Sequence, residues 1–571
     1  MKKTFTKLGY SVIIIIASFS LFSDSIKAQV LVVPPSPGNL STVEHLTQSN
    51  DFVVEVKKAA DATYTTCFVY KTDNWASNSG GGEHRLQKAV SFTNVSFSGG
   101  AIDVRITTNF TANSVKVRPL NYNITPNRSG NVITFRLNSP KKLSVEVNDR
   151  LNPLFLFFDT PDVPNTGATY YYGPGVHNVG MKKAIQSNQS VYIAGGAVVE
   201  GTFMLAEGAT NINFRGRGII SNGVLPTLEA QGGPSNATLF KNATISSATL
   251  YSSSCNHITF EGFIITNGAG WTFALPNYGH SSNHNSWRNI KEVEWSGCTD
   301  GIWFDGDDNT IDDCFIFNND DAVTTHGSNN CTITNTTTWG GNWGHLFYHD
   351  DYGSSSGITM ENINVIGQDA CRELIWVMSR SGASNIVQNV TFRNVRIEEH
   401  ISRSSYNVAK LIKFELNNNK VKNWLFEDFT VDDKNNDEGD IYGTANGTVD
   451  GISFCNLKMG GAYVKTLAQA NMDKNSYATN ITFCATTGVN KLSTANTFVI
   501  YPNPANDYIV IEGLNIDSKI ELYDILGRKV FSQITNNSNT KIDVSEFNQG
   551  IFFLKVITQD GISDIGKFIK E

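Results

Sequence analysis

Residues 257–268 read HITFEGFIITNG: a short apolar strand, a Gly, a second apolar strand, then Asn-Gly. The same cadence returns every 20–35 residues, often introduced by Asn. Examples are NINFRGRGIISNG (211–223), NTIDDCFIFNN (309–319), NCTITNTTTWG (330–340), GITMENINVIG (357–367), NVTFRNVRIEE (389–399), NWLFEDFTVDD (423–433), GISFCNLKMGG (451–461) and NITFCATTG (480–488). Self-similarity at such a period marks a solenoid. Strands of four or five residues separated by turn residues suit a right-handed parallel β-helix, in which each coil buries its apolar side chains only by stacking on its neighbours. Asn at equivalent turns is expected to form side-chain ladders along the axis. This domain is expected over residues 169–486.

The flanks read differently. Residues 29–168 hold alternating strands such as FVVEVK, TCFVYK, SFTNVSFS, VITFRL, KLSVEVN and LFLFF, the pattern of an antiparallel β-sandwich. A third segment, 496–571, reads as a small separate β-sandwich behind a linker at 486–495, so the whole chain is expected to be all-β. Residues 1–28 carry Lys2, Lys3 and Lys7, an apolar run from Val12 to Phe22 and a small-x-small pattern ending at Ala28, which is a cleavable signal peptide. The apolar run is short for a membrane span of roughly 20 residues, and no later segment is long and apolar enough to cross. Net charge of −8 and a pI near 5.7 argue against nucleic acid as the partner. The eight cysteines show no metal spacing, and Cys455 and Cys484, which end two equivalent strands, are the best disulfide pair.

The chemistry concentrates in residues 298–327, CTDGIWFDGDDNTIDDCFIFNNDDAVTTHG, with eight aspartates and no Lys or Arg. Asp300 follows one strand, and Asp320 and Asp321 follow the next, 20 and 21 residues on, about one coil. Stacked strands lie roughly 4.8 Å apart, so the three carboxylates are expected to face one another. A doublet with both side chains outside must sit at a bend, and Asn318 and Asn319 fit that. Crowded carboxylates push at least one pKa upward, supplying an acid for a leaving oxygen and a base for water. Asp305, Asp307 and Asp308 read as turn residues, with a weak D-x-D likeness to a calcium loop. No metal or cofactor is expected.

Two resemblances sharpen this. YPNP (501–504), LGR (526–528), GIFFLKV and the terminal KFIK resemble the C-terminal sorting domain of the type IX secretion system of Bacteroidetes. That resemblance implies export across the outer membrane by that machinery, then release or attachment at the cell surface. TDG followed by a strand ending NDDA, together with VRPL, PKKLSVEVND, YYYGPGVHNVG and VYIAGGAVVEGTF upstream, resembles glycoside hydrolase family 49, the dextranases and isopullulanase. It implies inverting hydrolysis of an α-glucan without a metal, with Asp320 as acid and Asp300 and Asp321 holding and activating the water. The turn after TDG is more acidic than that pattern.

Gly-His at Gly344 and His345 resembles the polygalacturonases of family 28, but those carry an Arg-x-Lys, and here Arg380 stands without the Lys, while VRIEE (395–399) has Glu398 where a Lys would be. An acidic site favours a neutral sugar over a uronate. Trp271, Trp287, Trp295, Trp303, Trp339, Trp343, Tyr348 and Trp376 cluster in these coils. Trp303, Trp343, His345 and Arg380 are the expected substrate contacts, and His326 is a further candidate beside its plainer role of capping a strand. The expected activity is a secreted, monomeric endo-dextranase. The rivals are another β-helix polysaccharide hydrolase, isopullulanase-like or polygalacturonase-like, and a non-catalytic polysaccharide-binding β-helix.

Overall fold

The structure is a computed structural model. It describes residues 29–74, 86–222, 250–252, 254–268, 270–275, 282–295, 299–341, 344–349, 353–369, 373–379, 382–401, 409–433, 437–484, 498–514, 518–525, 528–535, 537–557 and 563–571. The expected signal peptide at 1–28, the expected linker at 486–495, Cys298, Trp343, Cys371 and Arg380 lie outside them.

The N-terminal part is a sandwich of a seven-stranded and a five-stranded sheet. Val54, Val56, Val95, Val104, Ile106, Ile133, Val145 and Leu156 fill the space between them. The expectation of purely antiparallel pairing fails at one place. Leu154–Asp159 runs parallel to Ala89–Ser98, because the chain crosses over before entering the β-helix. That strand reads LFLFFD with no alternation because both of its faces are covered. Leu154 and Leu156 face the sandwich core, while Phe155 and Phe157 pack on Phe315, Phe317 and Trp339 of the β-helix.

Polar pairs seal the same seam. Lys291 Nζ lies 2.7 Å from Asp159, both fully buried. Arg118 binds Glu146 at 3.0 Å and Glu398 at 2.5 Å, and both it and Arg150 hold Glu399. Glu398 and Glu399 of VRIEE therefore anchor the sandwich to the β-helix.

Among the described residues from Tyr170 to Cys484, 34 strands form one sheet, with every pairing parallel except that of Lys458–Met459 with Ala462–Tyr463. Parallel crossovers of this kind are right-handed, and the array is a right-handed parallel β-helix. Its lumen is packed with stacked apolar residues such as Phe214, Phe260, Trp287, Phe347, Phe392 and Phe426. Asn at the turns takes the left-handed conformation, as at Asn335 (φ 52°), Asn362 (φ 59°) and Asn394 (φ 49°). Their side chains bond from coil to coil, Asn362 Nδ2 to Asn335 Oδ1 at 3.1 Å and Asn394 Nδ2 to Asn362 Oδ1 at 2.8 Å, so the expected ladder is present. Cys455 and Cys484 are paired in register and form a disulfide.

Residues 486–571 are a separate compact unit. A three-stranded and a four-stranded antiparallel sheet enclose Ile509, Ile511, Ile520, Leu522, Leu554 and Phe568. Among the described residues, no helix is long and apolar enough to cross a membrane.

Candidate active site

One sheet of the β-helix carries the acidic residues. Ile302 pairs with Val323, Val323 with Phe347, and Phe347 with Ile375, steps of 21, 24 and 28 residues. Two residues before each lie Asp300, Asp321, His345 and Glu373. Gly301 N donates to Asp321 O (2.7 Å), Ala322 N to His345 O (2.8 Å) and Leu346 N to Leu374 O (2.8 Å). The four side chains thus occupy equivalent places at the start of four successive strands and form a column parallel to the helix axis.

The turns that present them are tied together. Asn318 Nδ2 donates to Asp321 O (2.7 Å) and Thr299 O (3.2 Å), and Asn319 N donates to Thr299 Oγ1 (3.1 Å). Asp320 and Asp321 sit in the bend between Phe315–Asn318 and Val323–His326. Asp321 N donates to Asp320 Oδ1 at 3.1 Å. Gly344 has no room for a side chain, since a Cβ there would come 2.1 Å from Asp320 O. That close approach brings His345 under the doublet.

Asp321 Oδ1 accepts the main-chain N–H of His345 at 3.0 Å and also lies against His345 Nδ1. The other ring nitrogen, Nε2, faces Glu373 Oε2 at 3.4 Å. Lys413 Nζ sits 3.3 Å from Glu373 Oε1 and 3.2 Å from Glu415, above the ring of Trp376. Charge therefore alternates from Asp321 through His345 and Glu373 to Lys413.

Burial, reinforced by the charges of Asp320 and Asp321, pushes the Asp300 carboxyl well above the ordinary range. Burial opposes a charged His345, but Asp321 and Glu373 outweigh it and raise the imidazolium to about 9. Burial likewise works against the charge on Glu373, yet His345, a backbone N–H and Lys413 bring it down to about 2. The arrangement can hold a proton among crowded carboxylates and keep a second carboxylate, Asp321, next to a cation.

The structure brings Asp300, Asp320 and Asp321 together as their spacing implies. It places other expected residues differently. Trp303 is 4% exposed, with Nε1 donating to Asp305 Oδ1 (3.1 Å) and 3.1 Å from His326 Nδ1, and Trp271 stands edge-on against it. It is a buried spacer and not an open sugar platform. His345, expected to touch substrate, has both ring nitrogens on carboxylates and lies behind the doublet. His326 also packs inward, on Trp303 and Asp305. Asp307 binds the main-chain and side-chain N–H groups of Asn329, so the D-x-D carboxylates point to different partners. Among the described residues, no cluster of His, Cys, Asp or Glu has the arrangement of a metal site.

Sequence reasoning missed Glu373 and Lys413. Glu373 could have been found by continuing the coil count past His345 to the next strand, IWVM.

Comparison with known proteins gives two findings. The model of the secretion system C-terminal sorting domain matches residues 499–571. Residues 499–571 are a secretion sorting domain. The chain is thus secreted or attached to the cell surface. No curated protein matches the chain. Among solved structures, Dex49A from Penicillium minioluteum aligns with a TM-score of 0.56 at 18% identity, covering 79% of this chain and 96% of that one. The endo-xylogalacturonan hydrolase from Aspergillus tubingensis aligns with a TM-score of 0.38 at 14% identity, covering 56% and 88%. The likeness to Dex49A shows a shared fold of sandwich and β-helix; at this identity it shows the fold alone.

Proposed function

We propose that the β-helix is an inverting endo-glycoside hydrolase of family 49 type that cuts an α-glucan, with the α-1,6 links of dextran as the substrate. One observation carries the reading: Asp300, Asp320 and Asp321 meet across one coil step, with the Asp300 carboxyl pushed well above its ordinary range by burial and by its two neighbours. Pure binding has no use for three carboxylates that crowd one another. The fold shared with Dex49A, over nearly its whole length, and the TDG and NDDA motifs on successive coils of this chain support it.

Asp320 is the more open of the three, half-buried where Asp300 and Asp321 are 8% and 6% exposed. It is placed to give its proton to the glycosidic oxygen as the C–O bond breaks. Asp300 and Asp321 hold a water on the far side of the ring, and Asp321, the carboxylate beside His345, takes the proton released when that water attacks C1. The anomeric configuration inverts. The proton lost by Asp320 is recovered from within the carboxylate cluster or from solvent.

A uronate substrate fits less well. Lys413, a cation at the end of this column, is already held by Glu373 and Glu415. The test is to incubate the protein with dextran, pullulan and polygalacturonate, measure reducing ends, and follow the first product by NMR. Release from dextran with inverted anomeric configuration is expected. No release from any of the three would refute the reading, and release from polygalacturonate alone would move it to the uronate class.

A further inference from the structure

His345 has a carboxylate on each ring nitrogen, Asp321 on Nδ1 and Glu373 on Nε2. A neutral imidazole carries one N–H, so its bare nitrogen would set a lone pair against one of these carboxylates. Only the doubly protonated ring satisfies both. Glu373 is fixed in turn from both sides, with Oε2 toward His345 and Oε1 3.3 Å from Lys413 Nζ. The ring packs against Tyr348, with centroids 5.7 Å apart, and Trp376, with centroids 5.0 Å apart, and these two rings also touch each other. The turn behind it is held by the Gln368 side-chain amide, which donates to Gly344 O.

We propose that Glu373 is a positioning residue: with Lys413 behind it, it clamps His345 as a cation against Asp321 and so fixes the orientation and charge of the carboxylate that handles the attacking water. The proposal rests on the hydrolase reading for the role of Asp321, but the clamp is a property of the side chains alone. Glu373 lies two strands from Asp321 and acts through His345. The groups facing His345 are Asp321 and Glu373 at its nitrogens, Tyr348 and Trp376 against its ring, and the main chain of Asp320 above Gly344. Asp300 flanks Asp321 on the next coil, and Lys413 and Glu415 stand behind Glu373. Among the described residues none of the rest places a second cation on Asp321, so loss of the His345 proton leaves that carboxylate beside Asp300 and Asp320 without that compensation.

The pH consequence has a definite sign. His345 stays charged up to about 9. Removing the negative charge of Glu373 removes one of the two influences that hold it there, so its titration moves down, by about one pH unit or more. Activity on dextran should lose its alkaline limb over the same interval, with kcat falling and KM held, because Glu373 is buried and acts through His345.

The experiment compares the full-length wild type with Glu373→Gln and Glu373→Asp. The His345 imidazole is titrated by NMR, its signal identified by its loss in His345→Gln, and the pH profile on dextran is measured beside it. A downward shift in Glu373→Gln, with Glu373→Asp between it and the wild type in both readouts, supports the clamp. An unshifted His345 titration in folded Glu373→Gln overturns it, as does a uniform loss of activity with an unchanged pH profile. If Glu373→Gln does not fold, the Glu373→Asp titration decides, and no shift there overturns the proposal. Wild type that cuts no dextran yet shows the shift would sink the hydrolase reading and leave the clamp standing.

Discussion

Two columns of side chains run along the β-helix, and they are built on opposite rules. At the turns, Asn335, Asn362 and Asn394 repeat one residue in one left-handed conformation, each bonded to the next. On the site face, Asp300, Asp321, His345 and Glu373 occupy equally repetitive backbone places, but the residue type changes along the column. A repeated residue does the same job at each coil, which is to close a turn. A column whose members differ while the backbone repeats is making a local electrostatic pattern, and stacking strands roughly 4.8 Å apart is what brings its members within reach of one another.

The sharpest way to break the contrast is to remove one proton beside the acid column without altering its shape. Asp320→Asn is expected to lower kcat on dextran by about 10²–10⁴-fold, the usual worth of a general acid. Its unfolding midpoint should stay near that of the wild type, since Asp320 is half-buried at a bend. Reducing-end release and a thermal melt read the two effects separately. Full activity in this variant would remove Asp320 from the role of acid.

A buried acid outside the column asks whether burial alone makes a site. Glu292, in the strand Lys291–Val293, and Glu294, just after it, precede Asp300 on the same coil. Glu292 takes a lumen position between Ile265 and Ile316 in register, and neither of its carboxyl oxygens has a hydrogen-bond partner. Burial and the neighbouring Glu294 raise Glu292 well above its ordinary range, and burial, eased by the Gly268 N–H, raises Glu294 from 4.5 to about 8. Such a group binds its proton more tightly when folded than when unfolded. Its contribution to stability is therefore full below the unfolded value of 4.5 and is lost as pH rises toward about 8. Glu294→Gln keeps an oxygen for Gly268 and removes the titration. It should raise stability at pH 8 by on the order of 3 kcal/mol relative to wild type and leave pH 5 nearly unchanged, measured as urea midpoints across that interval. An equal effect at both pH values would show that packing, and not the charge, is what the Gln changes.

The architecture was legible because its signals are local. Asn and Gly punctuate every coil, and GISFC and NITFC align Cys455 with Cys484 without any knowledge of the turns between them. The carboxylate trio was legible because only 21 residues separate Asp300 from Asp321, close to one minimal coil. Beyond it the step grows to 24, then 28, and then 37 between Ile375 and Ile412, as longer loops enter the coils. Glu373 therefore stacks on the site at a step that only a count strand by strand would find, and Lys413 at one longer still. The roles expected of Trp303 and His345 failed for a different reason. Alternation indicates which face of a strand a residue occupies, but whether that face meets sugar or another side chain depends on neighbouring coils. Glu398 is a similar case: it stands where a Lys would suit a uronate, and it is spoken for by Arg118 of the sandwich.

The smallest expected effect lies in the asparagine column, and it separates two reasons for the repeat. Asn362 has φ 59°, a conformation that costs a residue with a Cβ roughly 1 kcal/mol or more. It also makes one ladder bond in each direction, worth somewhat under about 1 kcal/mol each at an exposed turn. Asn362→Ala loses both bonds and keeps the strain, so about 2 kcal/mol of destabilisation is expected. Asn362→Gly loses both bonds but adopts the turn freely, so about half that loss is expected. Hydrolysis should be untouched in both, since the turn is on the opposite side of the coil's strand order from the acids. If Ala and Gly cost the same, the ladder bonds and not the left-handed turn explain why Asn recurs. If Gly costs nothing, the ladder is incidental and the backbone conformation alone selects the residue, which would make the repeating column a set of independent turns and leave the acid column as the place where neighbouring coils depend on one another.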